Sequence, residues 1–441
     1  MTMPTVGSAD ALRSANLAFS ARYPGEAGAR QPVHTVYGGA QLFVADSARK
    51  LGDVALRALR DFAPDAATLG EAVGIASHPA LETIHQRVVQ KLTREPVEDF
   101  RVDFEDGYGN RPDAEEDGHC TTVAHALIDG MRDGLLPPFI GMRIKPLNEE
   151  LRVRSMRTLE LVLTEVVARA GKLPANFVIT VPKVTIIEQV EYFVAELERL
   201  ERALRLPDGT LTFEVMVETP QMVLDHHGQS LLPRIPAVSG GRLTGAHFGT
   251  YDYTAGVNIT AAHQRMRHPA CDFAKSVMQV SLAGTGIWLS DGSTTVMPVP
   301  IHRAPDRTAD QQRANVTSVH AAWKLHFDDV THSLVGGFYQ GWDLHPAQLV
   351  TRYAALYAFF LDGIDAAAAR LSNFVNKAAQ ATLVGDVFDD AATGQGLLNF
   401  FLRGVNSAAI TENDAVAMTG LSVDELRGRS FLKILANRAA R

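Results

Sequence analysis

Charged side chains follow short apolar segments of this sequence five times in succession. The five places are Asp103-Phe104-Glu105-Asp106, Arg143-Ile144-Lys145, Pro182-Lys183, Glu218-Thr219-Pro220 and Tyr251-Asp252. In a barrel of parallel strands the carboxyl ends of all strands open onto one face, and active-site groups lie there. Charges delivered by five consecutive strands would therefore meet at one mouth, and the spacing predicts a shared site.

Two of the acidic residues, Glu218 and Asp252, follow neighbouring apolar segments and are of the type that binds a hard divalent cation. Mg²⁺ is commonly held by only one or two protein carboxylates, which leaves positions for substrate and water. We predict that Glu218 and Asp252 bind Mg²⁺, with Mn²⁺ as an alternative. An ion chelated by a 2-oxo acid or an enolate would polarise the carbonyl group as a Lewis acid.

The other charged residues offer the remaining functions that such chemistry needs. Arg143 could bind a substrate carboxylate or a developing oxyanion through two parallel hydrogen bonds. Glu105 and Asp106 could hold metal-bound water or relay protons. The alternative is that all of these charges form salt bridges at the mouth of a barrel and take no part in chemistry.

Eight short apolar segments, each followed by helical or loop sequence, have the pattern of parallel strands joined by crossover helices. They cover residues 34–39, 99–106, 139–146, 177–184, 212–219, 243–250, 286–292 and 334–341. Eight strands close a TIM-type (β/α)₈ barrel. We therefore predict an α/β protein of this fold, with the charged residues at its carboxyl-terminal mouth.

The segments between the predicted strands carry apolar residues at a period of 3.6, which indicates helices that cover the sheet from outside. We predict that the barrel spans residues 34–360. Two long connections, 63–98 and 293–333, are expected to be extra helices or a lid. Residues 1–33 are predicted to form an N-terminal arm, and residues 361–441 a C-terminal helical extension.

Composition and charge narrow the class of partner. The chain has 441 residues and a formal net charge of -8, without a long run of one sign, which argues against a nucleic-acid or anionic membrane surface. A small-molecule carboxylate or acyl-CoA substrate fits better. Cys120 and Cys271 lie far apart, outside any Cys-x-x-Cys pattern, so no disulfide framework or thiolate zinc site is expected. With neither a signal peptide nor an apolar run long enough to span a membrane, we predict a cytoplasmic protein.

Six short motifs occur in an order that resembles one known family. They are Phe-Glu-Asp-Gly (104–107), Met-Arg-Ile-Lys-Pro (142–146), Val-Pro-Lys-Val (181–184), Val-Glu-Thr-Pro (217–220), Phe-Gly-Thr-Tyr-Asp-Tyr-Thr (248–254) and Leu-His-Pro-Ala-Gln (344–348). This series is similar to that of the citrate lyase beta subunit family, which includes malyl-CoA lyases and is related to malate synthases and the HpcH/HpaI aldolases. The resemblance covers roughly residues 34–360, and the six motifs in one order make it specific.

The resemblance implies a Mg²⁺-dependent lyase of the aldol or Claisen type that is a homo-oligomer, a trimer or hexamer. Glu218 and Asp252 match the metal ligands of the family, and Arg143 matches its substrate-binding arginine. The remaining matches are to the catalytic or substrate-binding positions at the mouth of the barrel: Glu105, Asp106, Lys183, Gly249, Thr250 and His345.

The sequence also departs from the family. Residues 33–37 (Val-His-Thr-Val-Tyr) replace the Arg-Ser start that many acyl-CoA members show, and the segment after Asp106 is not the usual basic helix. The use of coenzyme A is therefore left open. The chain is also longer than the usual member, which favours a long side branch with its own substrate.

The function predicted from these observations is cleavage of a carbon–carbon bond in a 3-hydroxy acid or its CoA thioester through a metal-stabilised enolate. Two alternatives remain at this point. One is a phosphotransfer barrel that handles phosphoenolpyruvate or pyruvate, although no nucleotide-binding loop is found. The other is a non-catalytic accessory subunit that binds a metabolite.

Overall fold

Eight parallel strands pair in chain order and close into a barrel in the computed structural model. They are β1 (His34–Gly39), β2 (Asp99–Asp103), β3 (Phe139–Arg143), β4 (Phe177–Val181), β5 (Thr212–Val217), β6 (Leu243–Phe248), β7 (Trp288–Ser293) and β8 (Gln340–Asp343). Closure is direct, because β1 pairs with both β2 and β8. The predicted TIM barrel is confirmed.

The structure describes residues 9–25, 29–376, 382–384, 387–389, 391–428, 433–434 and 437–438. The α-helices of these residues are α1 (Ala9–Arg22), α2 (Ser47–Phe62), α3 (Ala66–Val73), α4 (Leu81–Arg94), α5 (Asp113–Asp133), α6 (Arg152–Ala170), α7 (Ile187–Leu204), α8 (Pro220–Val223), α9 (Ile235–Val238), α10 (Thr250–Gly256), α11 (Pro269–Leu282), α12 (Ala309–Val335), α13 (Gln348–Leu361), α14 (Ile364–Asn376), α15 (Ala391–Asn406), α16 (Glu412–Thr419) and α17 (Val423–Arg427). Short 3₁₀ helices cover Ala40–Leu42, Leu232–Arg234 and Ala261–His263.

Alternation along the strands separates an apolar outer face from a polar interior. On β2, Phe100 and Val102 belong to the hydrophobic core, where full burial of such a side chain contributes about 1.5–3 kcal/mol. The alternating residues Asp99, Arg101 and Asp103 instead bond to residues of other strands: Asp99 accepts from Thr35 Oγ1 at 2.8 Å, and Arg101 Nε donates to Glu214 Oε1 at 2.9 Å. The barrel interior is therefore lined with charged groups that pair across it.

The predicted strands match the observed ones in order, with shifts at their ends. Strands β2 to β6 end two or three residues earlier than predicted, so Glu105, Lys183, Glu218 and Asp252 lie in the segments just beyond the strands. The predicted start of the eighth strand, at residue 334, is wrong, because α12 continues to Val335 and the chain then turns at Gly337 with a φ of 83° before β8.

The two long connections differ in kind. Residues 63–98 contain α3 and α4, which are helices additional to a minimal barrel, as expected. Residues 293–333 contain most of α12, which is the crossover helix between β7 and β8, preceded by a loop. The length of this second connection therefore comes from one 27-residue helix and the loop before it.

The terminal segments flank the barrel. Every residue of α1 is at least partly exposed, while Gln31 and Val33, nearer to β1, are buried. The extension contains α14 to α17 and an antiparallel pair, β9 (Thr382–Val384) and β10 (Val387–Asp389). Parts of the predicted arm (1–8 and 26–28) and of the predicted extension (377–381, 385–386, 390 and most of 429–441) lie outside the described residues.

Cys120 and Cys271 are both free thiols and both buried. Among the described helices none has the length and apolar character needed to cross a membrane.

Candidate active site

Arg143, the last residue of β3, is held rigidly at the carboxyl-terminal mouth of the barrel. Its Nε donates to Asp103 Oδ1 at 2.7 Å and its Nη2 to Asp103 Oδ2 at 2.6 Å, in a bidentate pair. Asp103 also accepts from the backbone N–H groups of Glu105 at 3.0 Å and Gly107 at 2.7 Å. With its carboxylate fully used in this way, Asp103 fixes the plane of the guanidinium.

The third guanidinium nitrogen, Nη1, forms an ion pair with Glu105 Oε2 at 3.1 Å but makes no well-oriented hydrogen bond among the described residues, although Arg143 is only 1% exposed. The rings of Tyr37 and Trp342 lie over the guanidinium, at 4.8 and 5.5 Å. Trp342 Nε1 is likewise buried without an acceptor in the described part of the chain. An unpaired buried donor costs about 1–3 kcal/mol, so Trp342 Nε1 beside the guanidinium favours a bound carboxylate or oxyanion at this place.

Tyr37, Trp342 and the positioning role of Asp103 were missed in the sequence. Tyr37 lies on β1 and Trp342 on β8, more than 300 residues away, and their rings are 4.4 Å apart because these two strands close the barrel. Closure and alternation together could have predicted this pair, since Thr35 is opposite Trp342 in the register and Tyr37 is the next inward residue.

Lys183 contacts both sets of acidic residues at the mouth, Glu105 with Asp106 and Glu218 with Asp252. Its backbone N–H donates to Glu218 Oε1 at 2.7 Å. Its ammonium contacts Glu105 and lies 3.3 Å from Asp106 Oδ2 and 3.7 Å from Asp252 Oδ2. Burial alone would lower the pKa of Lys183, but the charges of Glu218 and Glu105 outweigh it and raise the pKa, so the side chain is a permanent cation.

Glu218 and Asp252 line a cavity of about 360 Å³ together with Lys183. Glu218 follows β5 and is 2% exposed, whereas the side chain of Asp252, in the first turn of α10, is 44% exposed. Burial raises the pKa of Glu218 to about 8; Lys183 opposes this and the charge of Asp252 adds to it. A cation between the two carboxylates would relieve both the burial cost and the repulsion.

The residues present fit a hard divalent cation. Two carboxylates are the number that Mg²⁺ commonly takes from protein, and no cluster of three or more His, Cys, Asp or Glu side chains suited to a metal occurs in the described ranges. Gly249 leaves the space beside Glu218, because a Cβ built on it would lie 2.6 Å from Glu218 Oε2. The Oε2 atom is thus open on the side where any other residue would cover it.

The environments of Glu105 and Asp106 differ. Burial raises the pKa of Glu105, against the opposing charge of Arg143. Burial acts in the same direction on Asp106, but its hydrogen bond with Glu105 and the charges of Arg143 and Lys183 outweigh it, so the pKa of Asp106 is lowered. Neighbouring acids whose pKa values are pushed apart can hold and transfer one proton between them.

The remaining predicted residues lie further from this cluster. Thr250 is buried at the start of α10, where its hydroxyl contacts Met266 Sδ at 3.5 Å. His345 Nδ1 accepts from the backbone N–H of Ala347 at 3.1 Å, and burial lowers the pKa of His345. Within the described ranges neither side chain bonds to Arg143 or Lys183. The structure therefore brings together Glu105, Asp106, Arg143, Lys183, Glu218, Asp252 and Gly249.

Comparisons with known proteins place the chain by sequence and by fold. A family model described as a domain of unknown function, DUF6986, matches residues 12–434. No curated protein matches the sequence. A crystal structure described as a citrate lyase from Burkholderia xenovorans LB400 is 18% identical with a TM-score of 0.57, and the match covers 89% of this chain and 97% of that chain.

Two further solved structures are more distant. The protein CitE from Mycobacterium tuberculosis, in complex with magnesium, acetoacetate and coenzyme A, is 14% identical with a TM-score of 0.48, covering 86% of this chain and 99% of that one. A magnesium/glyoxylate complex of Haloferax volcanii malate synthase is 14% identical with a TM-score of 0.47, covering 91% and 98%. At 18% identity the likeness to the citrate lyase establishes the shared fold.

Proposed function

The chain belongs to the DUF6986 family, and we propose that it is a Mg²⁺-dependent carbon–carbon lyase of the aldol or Claisen type. Its substrate would be a 3-hydroxy acid or the CoA thioester of one. Cleavage gives a carbonyl compound and an enolate, and the reverse reaction joins them. The motif order and the shared barrel support a long side branch of the citrate lyase beta-like enzymes, acting as a homo-oligomer.

One observation carries this proposal. At a single mouth, the buried guanidinium of Arg143 and the unpaired donor Trp342 Nε1 occur together with two carboxylates that line an open cavity. The salt-bridge alternative accounts for the contacts of Lys183 and Asp103 and for the ion pair of Arg143 Nη1 with Glu105, but it leaves Trp342 Nε1 buried without an acceptor among the described residues. An anionic substrate group would accept from Trp342 Nε1 and give Arg143 Nη1 a well-oriented acceptor, which a purely structural cluster would not need.

The side chains divide the work of binding and orientation. Mg²⁺, or Mn²⁺, held by Glu218 and Asp252 would supply Lewis-acid polarisation of the substrate carbonyl. Arg143 binds the carboxylate or oxyanion end of the substrate through Nη1, with its plane set by Asp103. Tyr37 and Trp342 enclose the guanidinium and exclude water from it, which strengthens its electrostatic attraction to the substrate.

Proton transfer is assigned to the acidic pair. Cleavage requires a base that takes the proton of the 3-hydroxyl group as the carbon–carbon bond breaks and the electrons pass to the enolate. Glu105 is the stronger base of the pair because its pKa is raised, and it can later return the proton to the enolate carbon. We also propose that three further residues contact the substrate. Two of them, Gly249 and Thr250, form the segment next to Glu218, and the third, His345, lies in a turn after β8.

The test is proton exchange in D₂O. Pyruvate and acetyl-CoA are incubated separately with protein and Mg²⁺, and loss of the methyl signal is followed by proton NMR. Exchange in pyruvate alone indicates a 2-oxo acid as the nucleophile, and exchange in acetyl-CoA alone indicates a thioester. No exchange in either compound contradicts enolate formation from these two nucleophiles.

Metal binding is measured in parallel by calorimetry. We expect Glu218→Gln and Asp252→Asn to lose Mg²⁺ binding and exchange together, because each removes a charged ligand. Glu149→Gln is the matched control, since Glu149 is exposed and pairs only with Arg152 among the described residues. Normal Mg²⁺ affinity in both site variants would refute the metal assignment.

A further inference from the structure

Lys183 has an unusual backbone at the mouth of the barrel. Its φ is 50°, in the left-handed region that β-strand ends and long side chains rarely adopt. This conformation directs its N–H to Glu218 Oε1 at 2.7 Å. Strain of this kind persists where the surroundings hold it and is concentrated at functional sites, so the position of Lys183 calls for an explanation beyond an ordinary ion pair.

The side chain of Lys183 lies among the carboxylates that a divalent cation would use or approach. Its ammonium contacts Glu105, Asp106 and Asp252, and its own backbone binds Glu218. Lys183 is therefore linked to both proposed metal ligands, to one through the backbone and to the other through the side chain. The side chain is 27% exposed, which leaves it room to move outward.

We propose that Lys183 is a tethered cation that competes with the divalent ion for the carboxylates of the mouth and so sets the affinity of the site. The inference rests on the proposed metal site. Without the metal, the ammonium neutralises part of the charge of Glu105, Asp106 and Asp252. Charges a few ångströms apart in a partly buried site interact strongly, so each cation weakens the binding of the other.

A tethered cation has a use in this mouth. Arg143 is paired with Asp103 and reaches Glu105 and Asp106 at 3.1 and 3.7 Å, but Lys183 lies nearer to both of these outer carboxylates. Lys183 prevents their mutual repulsion from opening the site when no metal is bound. It also makes metal binding weaker and more reversible than the carboxylates alone would make it.

The experiment measures Mn²⁺ binding to the full-length protein without substrate, by electron paramagnetic resonance of the free ion. Lys183→Met removes the charge at similar length, and Lys183→Gly removes the whole side chain and suits a positive φ. We expect both variants to bind Mn²⁺ at least tenfold more tightly than the unchanged protein, or about 1.4 kcal/mol. Lys183→Arg, which keeps the charge, should stay within about threefold of the unchanged protein, a difference of less than about 1 kcal/mol.

Lys172→Met is the matched control, because it also removes one positive charge but from an exposed lysine beyond α6, at the opposite end of the barrel. Its Mn²⁺ affinity should be unchanged. If Lys183→Met fails to fold, Lys183→Gly, which relieves the backbone, gives the answer, with circular dichroism as the check of folding.

The outcomes separate the two proposals. If Glu218→Gln leaves Mn²⁺ binding intact, the metal site and hence the proposed function are wrong. If Glu218→Gln abolishes binding but the folded Lys183 variants bind Mn²⁺ equally or more weakly, the site stands and the tethered-cation inference is overturned.

Discussion

Gly249 is the smallest residue of the candidate site, and its substitution is the most direct test of the proposed Mg²⁺ site. A Cβ at this position would lie 2.6 Å from Glu218 Oε2, so Gly249→Ala must displace the Glu218 carboxylate or cover its open oxygen. We expect Mg²⁺ affinity to fall at least tenfold, a change of about 1.4 kcal/mol. Calorimetric titration of the purified variant with Mg²⁺ measures it.

The control for this change lies on β6, the strand that ends just before Gly249. Gly245 precedes Gly249 by four residues, within β6, and a Cβ there would meet its neighbours at ordinary contact distances of 3.5 Å and more. Gly245→Ala should keep the Mg²⁺ affinity of the unchanged protein. Equal affinities in both variants would show that Glu218 Oε2 does not face the metal.

At the residue scale, the sequence identified the charged residues that follow apolar strands, because charge at such a position is easily recognised. The structure brings these residues together at one mouth: Glu105, Arg143, Lys183, Glu218 and Asp252. The two aromatic residues over the Arg143 guanidinium, Tyr37 and Trp342, were missed because they resemble ordinary strand residues. The left-handed backbone of Lys183 also has no sequence signal, since lysine does not favour it.

Strand β3 contains a glycine, Gly141, at a position where the adjacent strand β4 leaves no space for a side chain. Gly141 pairs with Val178 of β4, and a Cβ built on Gly141 would overlap the Val178 carbonyl oxygen. Gly141→Ala therefore has to separate two strands of the closed barrel, and we expect a loss of about 1–3 kcal/mol in the free energy of unfolding. Denaturant unfolding followed by circular dichroism measures the loss.

Gly118 is the contrasting position, in the middle of α5, where a Cβ would meet nothing within 4 Å. Gly118→Ala should be neutral or stabilising by up to about 1 kcal/mol, because alanine favours helix more than glycine does. If the two variants unfold alike, close packing between β3 and β4 is not what keeps Gly141 small.

The helices and strands could be predicted from the sequence where the spacing of apolar residues indicates them. The eight strands follow from apolar runs, but the eighth was placed too early because residues 334–338 are apolar and glycine-rich while α12 still occupies residues 334 and 335. A helix that ends inside an apolar run looks like a strand. The exact ends of the other strands depend on barrel pairing, which local sequence does not encode.

The junction between α4 and the segment before β1 carries a pH dependence. Burial would raise the pKa of Glu95, but hydrogen bonds from Arg30 and Lys91 outweigh it and lower the pKa to about 2. In the unfolded chain a glutamate titrates near 4.3. The stabilisation is therefore complete above about pH 4.5 and is lost as the pH falls towards 2.

We expect Glu95→Gln to be less stable than the unchanged protein at pH 7, with a gap that narrows below about pH 4.5. Denaturant unfolding at pH 7, 5 and 3.5 measures the gap. Glu160→Gln is the comparison, because Glu160 pairs with Arg199 at an exposed site, where an ion pair contributes little. A gap for Glu95→Gln that is constant or widens in acid would contradict the assignment.

At the scale of the whole molecule, the sequence predicted an N-terminal arm, a barrel and a C-terminal extension, and the arm and the extension differ in how they contact the barrel. The extension is bound to the barrel: Arg403 Nη1 donates to Gln31 Oε1 at 2.9 Å, Arg87 Nη1 donates to the Ala409 carbonyl at 2.6 Å, and the rings of Phe360 and Phe400 are 5.4 Å apart. These contacts depend on how the chain folds back, so composition alone could not reveal them.

The two ends should therefore respond differently to change. Removal of residues 1–22 takes away α1, whose residues are all at least partly exposed, and the melting temperature should stay within about 2 °C of the full chain. Phe401→Ala, by contrast, empties a fully buried position of α15, and we expect it to lose about 3–5 kcal/mol.

Differential scanning calorimetry of both variants decides whether the extension folds with the barrel. A single transition that moves to lower temperature in Phe401→Ala means that the barrel and extension unfold as one unit, as their contacts predict. A separate transition that moves alone, with the main one unchanged, would mean that the extension is an independent domain. Because Arg403 reaches Gln31 beside β1, we expect the single transition, and the charged mouth of the barrel would then share its stability with the C-terminal helices.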